Sequence, residues 1–125
     1  MIVKKPENTR GDIMKTWMVY FTTGTLAEAR KIGRDVVRQR LAACVNILGA
    51  IRSIYRWRGK LEDGREVAVL VKTSARRVED LIAAIRKRHS YEVPCIVAWP
   101  LTKGHAPFME WIAAETRTVA KARRR

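Results

Sequence analysis

Residues 44–73 contain two strand-like runs that are apolar on both of their faces, with a bulge or bend expected at residues 49–50 and a turn at residues 59–64. Their apolar residues are Val45, Ile47, Ile51, Ile54, Tyr55 and Trp57 in the first run and the unbroken residues 67–71 in the second. A strand that is covered on one side only alternates apolar and polar residues. Because a chain of 125 residues has few helices with which to cover two faces, this pattern predicts contact with another copy of the chain.

The segments on either side of this hairpin have clear helix and strand periodicities. Residues 17–21 predict a short aromatic and β-branched strand. Thr25 and Glu28 then form a capping box that opens a helix with a 3.6-residue apolar period. After the hairpin, Ser74 is expected to cap a second helix, and residues 95–99 predict a last strand before a short final helix.

The order of these elements, β-α-β-β-α-β-α, predicts the fold class. Right-handed crossovers on an antiparallel sheet of this order give an α+β, ferredoxin-like fold, in which a split βαβ core (βαββαβ) precedes a C-terminal helix. We expect an N-terminal extension at residues 1–15, one domain at 16–116 and a basic tail at 117–125. Many unrelated functions use this fold, so the order of elements identifies none of them.

Four short motifs resemble those of one known family. They are Leu-Ala-Ala-Cys-Val-Asn at 41–46, Tyr-Arg-Trp-Arg-Gly-Lys at 55–60, the strand at 66–73, and His-Ser-Tyr-Glu-Val-Pro at 89–94. In order and spacing they resemble the CutA divalent-cation tolerance proteins over most of the chain. The resemblance implies a ferredoxin-like subunit, a homotrimer, a cytoplasmic location and an association with copper or other divalent metal ions. It implies no catalytic reaction.

Three residues are candidate ligands for a divalent metal ion or Cu(I). Cys44 is either a small buried hydrophobic residue or a soft thiolate ligand, and the resemblance favours the ligand. His89 is either a hydrogen-bonded structural residue or an imidazole ligand, and the resemblance again favours the ligand. Cys95 stands where relatives usually carry glutamate and is a candidate third ligand. The chain also carries Ser90 where relatives usually have proline, and Phe21 where some bacterial relatives have cysteine.

A second group of residues combines charge with aromatic rings. Its members are Trp57, Lys60, Glu66, Lys72, Tyr91 and Glu92. One interpretation is a structural ion pair of Lys72 with Glu66 or Glu92 that fixes the register of a trimer. The other is a pocket between subunits for a small anion or metabolite. In that case an alternative function is a trimeric signalling protein similar to the PII proteins, with Arg58 adding positive charge for a nucleotide.

Composition limits the remaining possibilities. The 26 Lys and Arg residues outnumber the 12 Asp and Glu residues, which gives a net charge of +14. The basic tail predicts at most weak, sequence-independent binding to nucleic acid phosphates. No apolar run approaches the ~20 residues of a membrane span, and two cysteines make no disulfide framework, so we expect a cytoplasmic protein without a membrane partner.

The known enzyme motifs are missing from the sequence. It has no Gly-x-Gly-x-x-Gly run, no P-loop, no Cys-x-x-Cys pair and no recognisable Ser/His/Asp set. We therefore expect a protein that is not an enzyme.

Overall fold

The structure, a computed structural model, describes residues 15–117 and contains one four-stranded antiparallel sheet. The elements follow in the order β1 (Thr16–Thr23), α1 (Leu26–Arg38), β2 (Cys44–Trp57), β3 (Lys60–Ser74), a 3-10 turn (Ala75–Arg77), α2 (Val78–Arg88), β4 (Ile96–Pro100) and α3 (Ala106–Glu115). The strand order across the sheet is β2-β3-β1-β4. This arrangement confirms the α+β, ferredoxin-like prediction with its long hairpin.

The predicted terminal segments fall almost wholly outside the described residues. Of the extension at 1–15 and the basic tail at 117–125, only Lys15 and Arg117 are described. The division into extension, domain and tail therefore stays a prediction. The longest described helix has 13 residues, and none within residues 15–117 is long and apolar enough to cross a membrane.

One face of the sheet packs against α1 and α2 and forms the core. The register pairs Val19 with Val71 and Phe21 with Val69, so these four side chains point to the same side. Helix residues packed against them are Ile32, Val36, Leu81 and Ile85, and all eight side chains are buried. Burial of each such side chain contributes about 1.5–3 kcal/mol to the free energy of unfolding, relative to leaving it exposed. Gly33 lets α1 approach closely, because a Cβ atom there would lie 3.0 Å from Cγ1 of Val45.

The opposite face, which we term the open face, carries apolar side chains that the helices leave exposed. Leu70, Tyr20 and Val97 form one row across β3, β1 and β4, because the register pairs Tyr20 with both of the others. Trp99 lies in the next row, opposite Met18. Val97 is 51% exposed and Trp99 42%. The structure therefore agrees with a sheet that is apolar on both sides and covered by α1 and α2 on one of them.

Beyond the sheet, β2 and β3 continue as a two-stranded arm. β1 pairs with β3 only as far as Val67, whereas β2 and β3 remain paired out to Trp57 and Lys60. The prediction of a turn at residues 59–64 is wrong, because Arg58 and Gly59 form the turn and residues 60–64 belong to β3. The bulge expected near Gly49 is confirmed by a shift in register between Ile47 and Gly49.

The two predicted helix caps have different outcomes. The Oγ1 atom of Thr25 accepts a hydrogen bond of 3.1 Å from the backbone N–H of Glu28, as expected for the start of α1. Ser74 does not cap a helix with its side chain, because a 3-10 turn follows it and α2 begins only at Val78. Its hydroxyl instead accepts a hydrogen bond of 2.9 Å from Thr116.

The two-residue turn makes a prediction about Gly59. Arg58 and Gly59 have φ angles of 50° and 82°, the left-handed pair that a tight hairpin requires. Replacing Gly59 with Ala places a Cβ atom in that conformation, so we expect a loss of about 1 kcal/mol in the free energy of unfolding. Urea denaturation measures this loss. Gly64→Ala is the matched control, since Gly64 lies in the same strand pair with open space around it and without a positive φ. Equal stabilities for the two variants would contradict the turn geometry.

Candidate functional site

A cleft of about 720 Å³ opens where the hairpin arm leaves the sheet and meets the segment that follows α2. Its lining combines four aromatic side chains with two carboxylates and one thiol, which are Tyr20, Tyr55, Trp57, Tyr91, Glu66, Glu92 and Cys95. β1, β2 and β3 each supply part of the lining, and the loop between α2 and β4 supplies the rest. The cleft is therefore built from distant parts of a single chain.

The Glu66 carboxylate is the polar centre of this cleft. It accepts hydrogen bonds from the hydroxyl groups of Ser53 at 2.7 Å, Tyr91 at 3.0 Å and Thr22 at 3.2 Å. These donors lie on β2, on the loop after α2 and on β1. One carboxylate thus joins three segments of the chain, which fixes the shape of the cleft before any ligand enters.

Three ionisable groups beside Glu66, namely Tyr20, Tyr91 and Cys95, are held in their neutral forms at physiological pH. Burial, followed by the hydrogen bond and negative charge of Glu66, raises the pKa of Tyr91 to about 12. Burial also raises the pKa of the Tyr20 phenol and of the Cys95 thiol, and the Glu66 charge acts in the same direction on both. Tyr91 therefore remains a hydrogen-bond donor, and Cys95 remains a thiol.

His89 supports the cleft from the core side. Its side chain is fully buried, at 0% exposure. Nδ1 accepts a hydrogen bond of 3.1 Å from the backbone N–H of Tyr91, so Nε2 carries the proton and donates to the carbonyl of Thr22 at 2.6 Å. The ring thereby holds two of the residues that contact Glu66. Both of its nitrogens are engaged, and a metal ion would have to displace one of these backbone partners.

Glu28 and Ser90 tie the same loop to α1. The carboxylate of Glu28 accepts hydrogen bonds from the backbone N–H of Ser90 at 2.8 Å and from its hydroxyl at 3.0 Å. Burial by itself would raise the pKa of Glu28, but the two bonds from Ser90 and the nearby His89 ring outweigh it and lower that pKa. The capping motif accounts for Glu28 only as a helix-start residue. A proline at position 90 would offer neither of these donors.

The three candidate metal ligands do not meet within one chain. Cys44 pairs with Lys72 at one end of the sheet, and its sulfur lies 3.6 Å from Oδ1 of Asn46. Thr22, whose carbonyl accepts a hydrogen bond from His89, pairs with Ala68. Ala68 lies four residues from Lys72 along β3, which is a distance of about 13 Å. Cys95 lies in the cleft near Glu66, away from Cys44. No group of three or more His, Cys, Asp or Glu residues within the described range is arranged to hold a metal ion.

The second predicted group is brought together only in part. Trp57, Glu66, Tyr91 and Glu92 all line the cleft, and Lys60 and Lys72 do not. Lys60 lies beside the hairpin turn, opposite Trp57.

Within the described residues of the single chain, Lys72 contacts neither Glu66 nor Glu92, and an ion pair with a glutamate across a subunit boundary stays a prediction. The Lys72 ammonium instead donates to Oδ1 of Asn46 and lies 5.9 Å from the centre of the Phe108 ring. Glu92 pairs with Arg58 at 2.9 Å.

Among the cleft residues missing from the sequence-based set, four carry hydroxyl groups. They are Tyr20, Thr22, Ser53 and Tyr55. After the bulge, Ser53, Tyr55 and Trp57 follow one another at a spacing of two residues. Ser53 and Tyr55 pair with Gly64 and Glu62, which lie two and four residues before Glu66 on β3. Residues two apart on a strand share a face, so Ser53, Tyr55 and Trp57 lie on the same face as Glu66. The position of the bulge and the two-residue spacing after it are the sequence features that could have identified Ser53 and Tyr55 as cleft residues.

Comparison with known proteins identifies the family. The family model for the CutA1 divalent ion tolerance protein matches residues 17–115. Human Protein CutA is 41% identical over 92 residues, which cover 74% of this chain and 51% of the human protein. The divalent-cation tolerance protein CutA of Archaeoglobus fulgidus is 38% identical over 94 residues, which cover 75% of this chain and 91% of that protein. The chain therefore belongs to the CutA1 family, a family named for divalent-cation tolerance and not for a reaction.

Solved structures show the same similarity. The divalent cation tolerance protein from Thermus thermophilus has a TM-score of 0.79 and 36% sequence identity, covering 82% of this chain and 99% of its own. The chain spans about half the length of the mouse and human relatives, at 53% and 51%. Relatives differ in compartment: the Arabidopsis thaliana protein is described as chloroplastic, and the structure from Archaeoglobus fulgidus as periplasmic.

The contact between Glu28 and Ser90 predicts a pH-dependent loss of stability in Glu28→Gln. At neutral pH we expect this variant to be less stable by about 1–2 kcal/mol, because hydrogen bonds to a charged group are weakened. The pKa of Glu28 is lowered from its ordinary value of 4.5 in the folded state. Its contribution is therefore complete above pH 4.5 and is lost as the pH falls through the folded-state pKa.

Urea denaturation of wild type and Glu28→Gln between about pH 7 and pH 3 measures this difference. Glu110→Gln is the control, since Glu110 is an exposed residue of α3. A difference between wild type and Glu28→Gln that stayed constant over this range would contradict the ionic contribution of Glu28.

Proposed function

We propose that this chain serves divalent-cation tolerance as a homotrimeric binding protein of the cytoplasm and does not catalyse a reaction. The observation that carries the proposal is the open face of the sheet, which is apolar yet exposed in the single chain. Family membership supplies the role in cation tolerance. In support of a non-enzymatic role, the cleft lining contains no histidine among the described residues, and the buried His89 is fully engaged by backbone groups.

Self-association accounts for the open face better than a monomer does. Exposed apolar patches of this kind mark interaction surfaces on proteins. The row of Leu70, Tyr20 and Val97 forms the centre of the patch, and the hairpin arm extends beyond it with the exposed aromatic residues Tyr55 and Trp57 on the same face. Permanent homo-oligomers bury more than ~2,000 Å² in total, and a head-to-tail interface of three copies closes into a ring.

The assembly proposal predicts that Val97→Arg is monomeric. Val97 is exposed in the single chain, so arginine there leaves the subunit folded, whereas in an interface the buried unpaired charge costs several kcal/mol. Sedimentation equilibrium at micromolar concentration should give a trimer for the wild type and a monomer for the variant. Leu26→Arg is the control, because Leu26 is 52% exposed but lies on α1, away from the open face. A monomeric wild type would refute the proposal.

For metal ions, we propose separate thiol sites at Cys44 and Cys95. Both cysteines are free and at least partly accessible, and soft thiolates suit Cu(I). The raised pKa of Cys95 opposes thiolate formation at neutral pH, so Cys44 is the favoured donor. His89 joins a metal site only if it releases the carbonyl of Thr22 or the N–H of Tyr91.

A titration with Cu(I) under reducing conditions tests these thiol sites. We expect Cys44→Ala to remove the tighter binding event and Cys95→Ala to remove a weaker one, each lowering the stoichiometry without changing the other site. His89→Gln should leave the stoichiometry unchanged. Equal stoichiometry in wild type and Cys44→Ala would exclude Cys44, and a loss of both events in His89→Gln would indicate a shared site instead.

The alternative function, a trimer that holds an anion or nucleotide as the PII proteins do, requires positive charge in the cleft. The cleft lining carries two carboxylates and no lysine or arginine among the described residues. Arg58 lies at the rim but is paired with Glu92. The charge of the cleft therefore gives this alternative no support.

A further inference from the structure

We propose that the cleft around Glu66 binds a small organic cation, either a protonated amine or a quaternary ammonium group. Glu66 supplies the opposite charge, and Tyr55, Trp57 and Tyr91 supply aromatic walls. All of these residues belong to one chain, and the inference goes beyond the proposed function by assigning the cleft a ligand class. Tyr20 belongs both to the cleft lining and to the open face, so the cleft opens beside the proposed subunit interface.

The first support is the distribution of charge. The chain has 26 Lys and Arg residues against 12 Asp and Glu, yet both charged residues that line the cleft are glutamates. The partners of Glu66 within residues 15–117 are the three hydroxyl groups, and it forms no ion pair with any described Lys, Arg or His. Its negative charge at the floor of the cleft is therefore unbalanced, which attracts cations and repels anions.

The second support is the aromatic lining. The faces of Trp and Tyr rings attract cations within about 6 Å, and rings grouped around a pocket are the usual means of binding quaternary ammonium groups. Tyr91 stays a neutral phenol at physiological pH, because burial and Glu66 raise its pKa to about 12. The cleft volume of about 720 Å³ suits a small organic molecule.

The third support is a cation that the chain itself places at the rim. The guanidinium of Arg58 lies 5.0 Å from the centre of the Trp57 ring and forms an ion pair of 2.9 Å with Glu92. An aromatic ring and a carboxylate of the cleft thus already hold one organic cation. Deeper in the cleft, Glu66 and Tyr91 repeat this combination without a basic side chain from the described residues.

An organic cation fits this position better than a bare metal ion does. A metal ion needs several donor atoms with free lone pairs, and no group of three His, Cys, Asp or Glu residues among the described ones provides them. Aromatic faces, in contrast, stabilise a methylated or alkylated ammonium group without coordinating it.

Isothermal titration with choline tests the inference, with 3,3-dimethylbutan-1-ol as the uncharged ligand of the same shape. Ionic strength is held constant, and butylammonium chloride tests a primary amine alongside the quaternary one. We expect the wild type to bind choline at least about tenfold more tightly than the neutral alcohol, a difference of about 1.4 kcal/mol. Glu66→Gln, which keeps an oxygen for the three hydroxyl donors, should lose that tenfold preference.

Two further variants complete the design. Tyr55→Leu removes one wall while leaving the hydrogen bonds of Glu66 intact, and it should weaken choline binding about tenfold even if Glu66→Gln fails to fold. Glu79→Gln, an exposed carboxylate of α2 outside the cleft, should bind choline as the wild type does.

Equal affinity for choline and the neutral alcohol would overturn the inference, as would tight binding of ATP in place of either cation. A wild type that is trimeric by sedimentation but binds neither choline nor butylammonium would refute the cation site alone. A monomeric wild type that binds choline would support the cation site while refuting the trimer.

Discussion

The alternation of side chains along β3 determines where almost every functional group of this protein lies. Val67, Val69 and Val71 point into the core under the helices, so Glu66, Ala68 and Leu70 must point to the other side. A shift of one residue in the pairing of β3 with β1 would bury Glu66 and expose the core valines. The buried face therefore fixes both the apolar patch on the open face and the position of the carboxylate in the cleft.

The cleft also depends on a short loop that has little secondary structure of its own. His89, Ser90 and Tyr91 each make a hydrogen bond to a different part of the chain, to the Thr22 carbonyl, to Glu28 and to Glu66. Because His89 is buried and uses both ring nitrogens, the loop cannot move without leaving polar groups unsatisfied in the core. The motif at residues 89–94 is thus explained by structural support of Tyr91 and Glu66, whatever ligand the cleft binds.

Much of the fold followed from periodicity alone, because apolar residues recur at helical and strand spacings over long segments. The order of elements, the Thr25 cap and the bulge near Gly49 were all predictable in this way. The turn was placed wrongly because Gly59 and Gly64 are both turn residues in sequence, and only the register shows that residues 60–64 pair back onto β2. Several cleft residues were missed for a related reason: the bulge changes which residues of β2 share a face with Glu66, and a sequence does not display that change directly.

The sequence and the structure lead to opposite expectations about the charge of the ligand. The net charge of +14 and the lysines of the hairpin motif favour an anionic ligand when they are counted along the chain. In three dimensions Lys72 lies at the far end of the sheet with Asn46, and Lys60 lies beside the turn, so neither reaches the cleft. The local field of a binding site depends on the few charges within about one Debye length, ~8–10 Å, and not on the total charge. For this protein the two charged residues that line the cleft are glutamates, and Arg58 at the rim pairs with Glu92 and not with Glu66, which is why a strongly basic chain presents a cleft suited to cations.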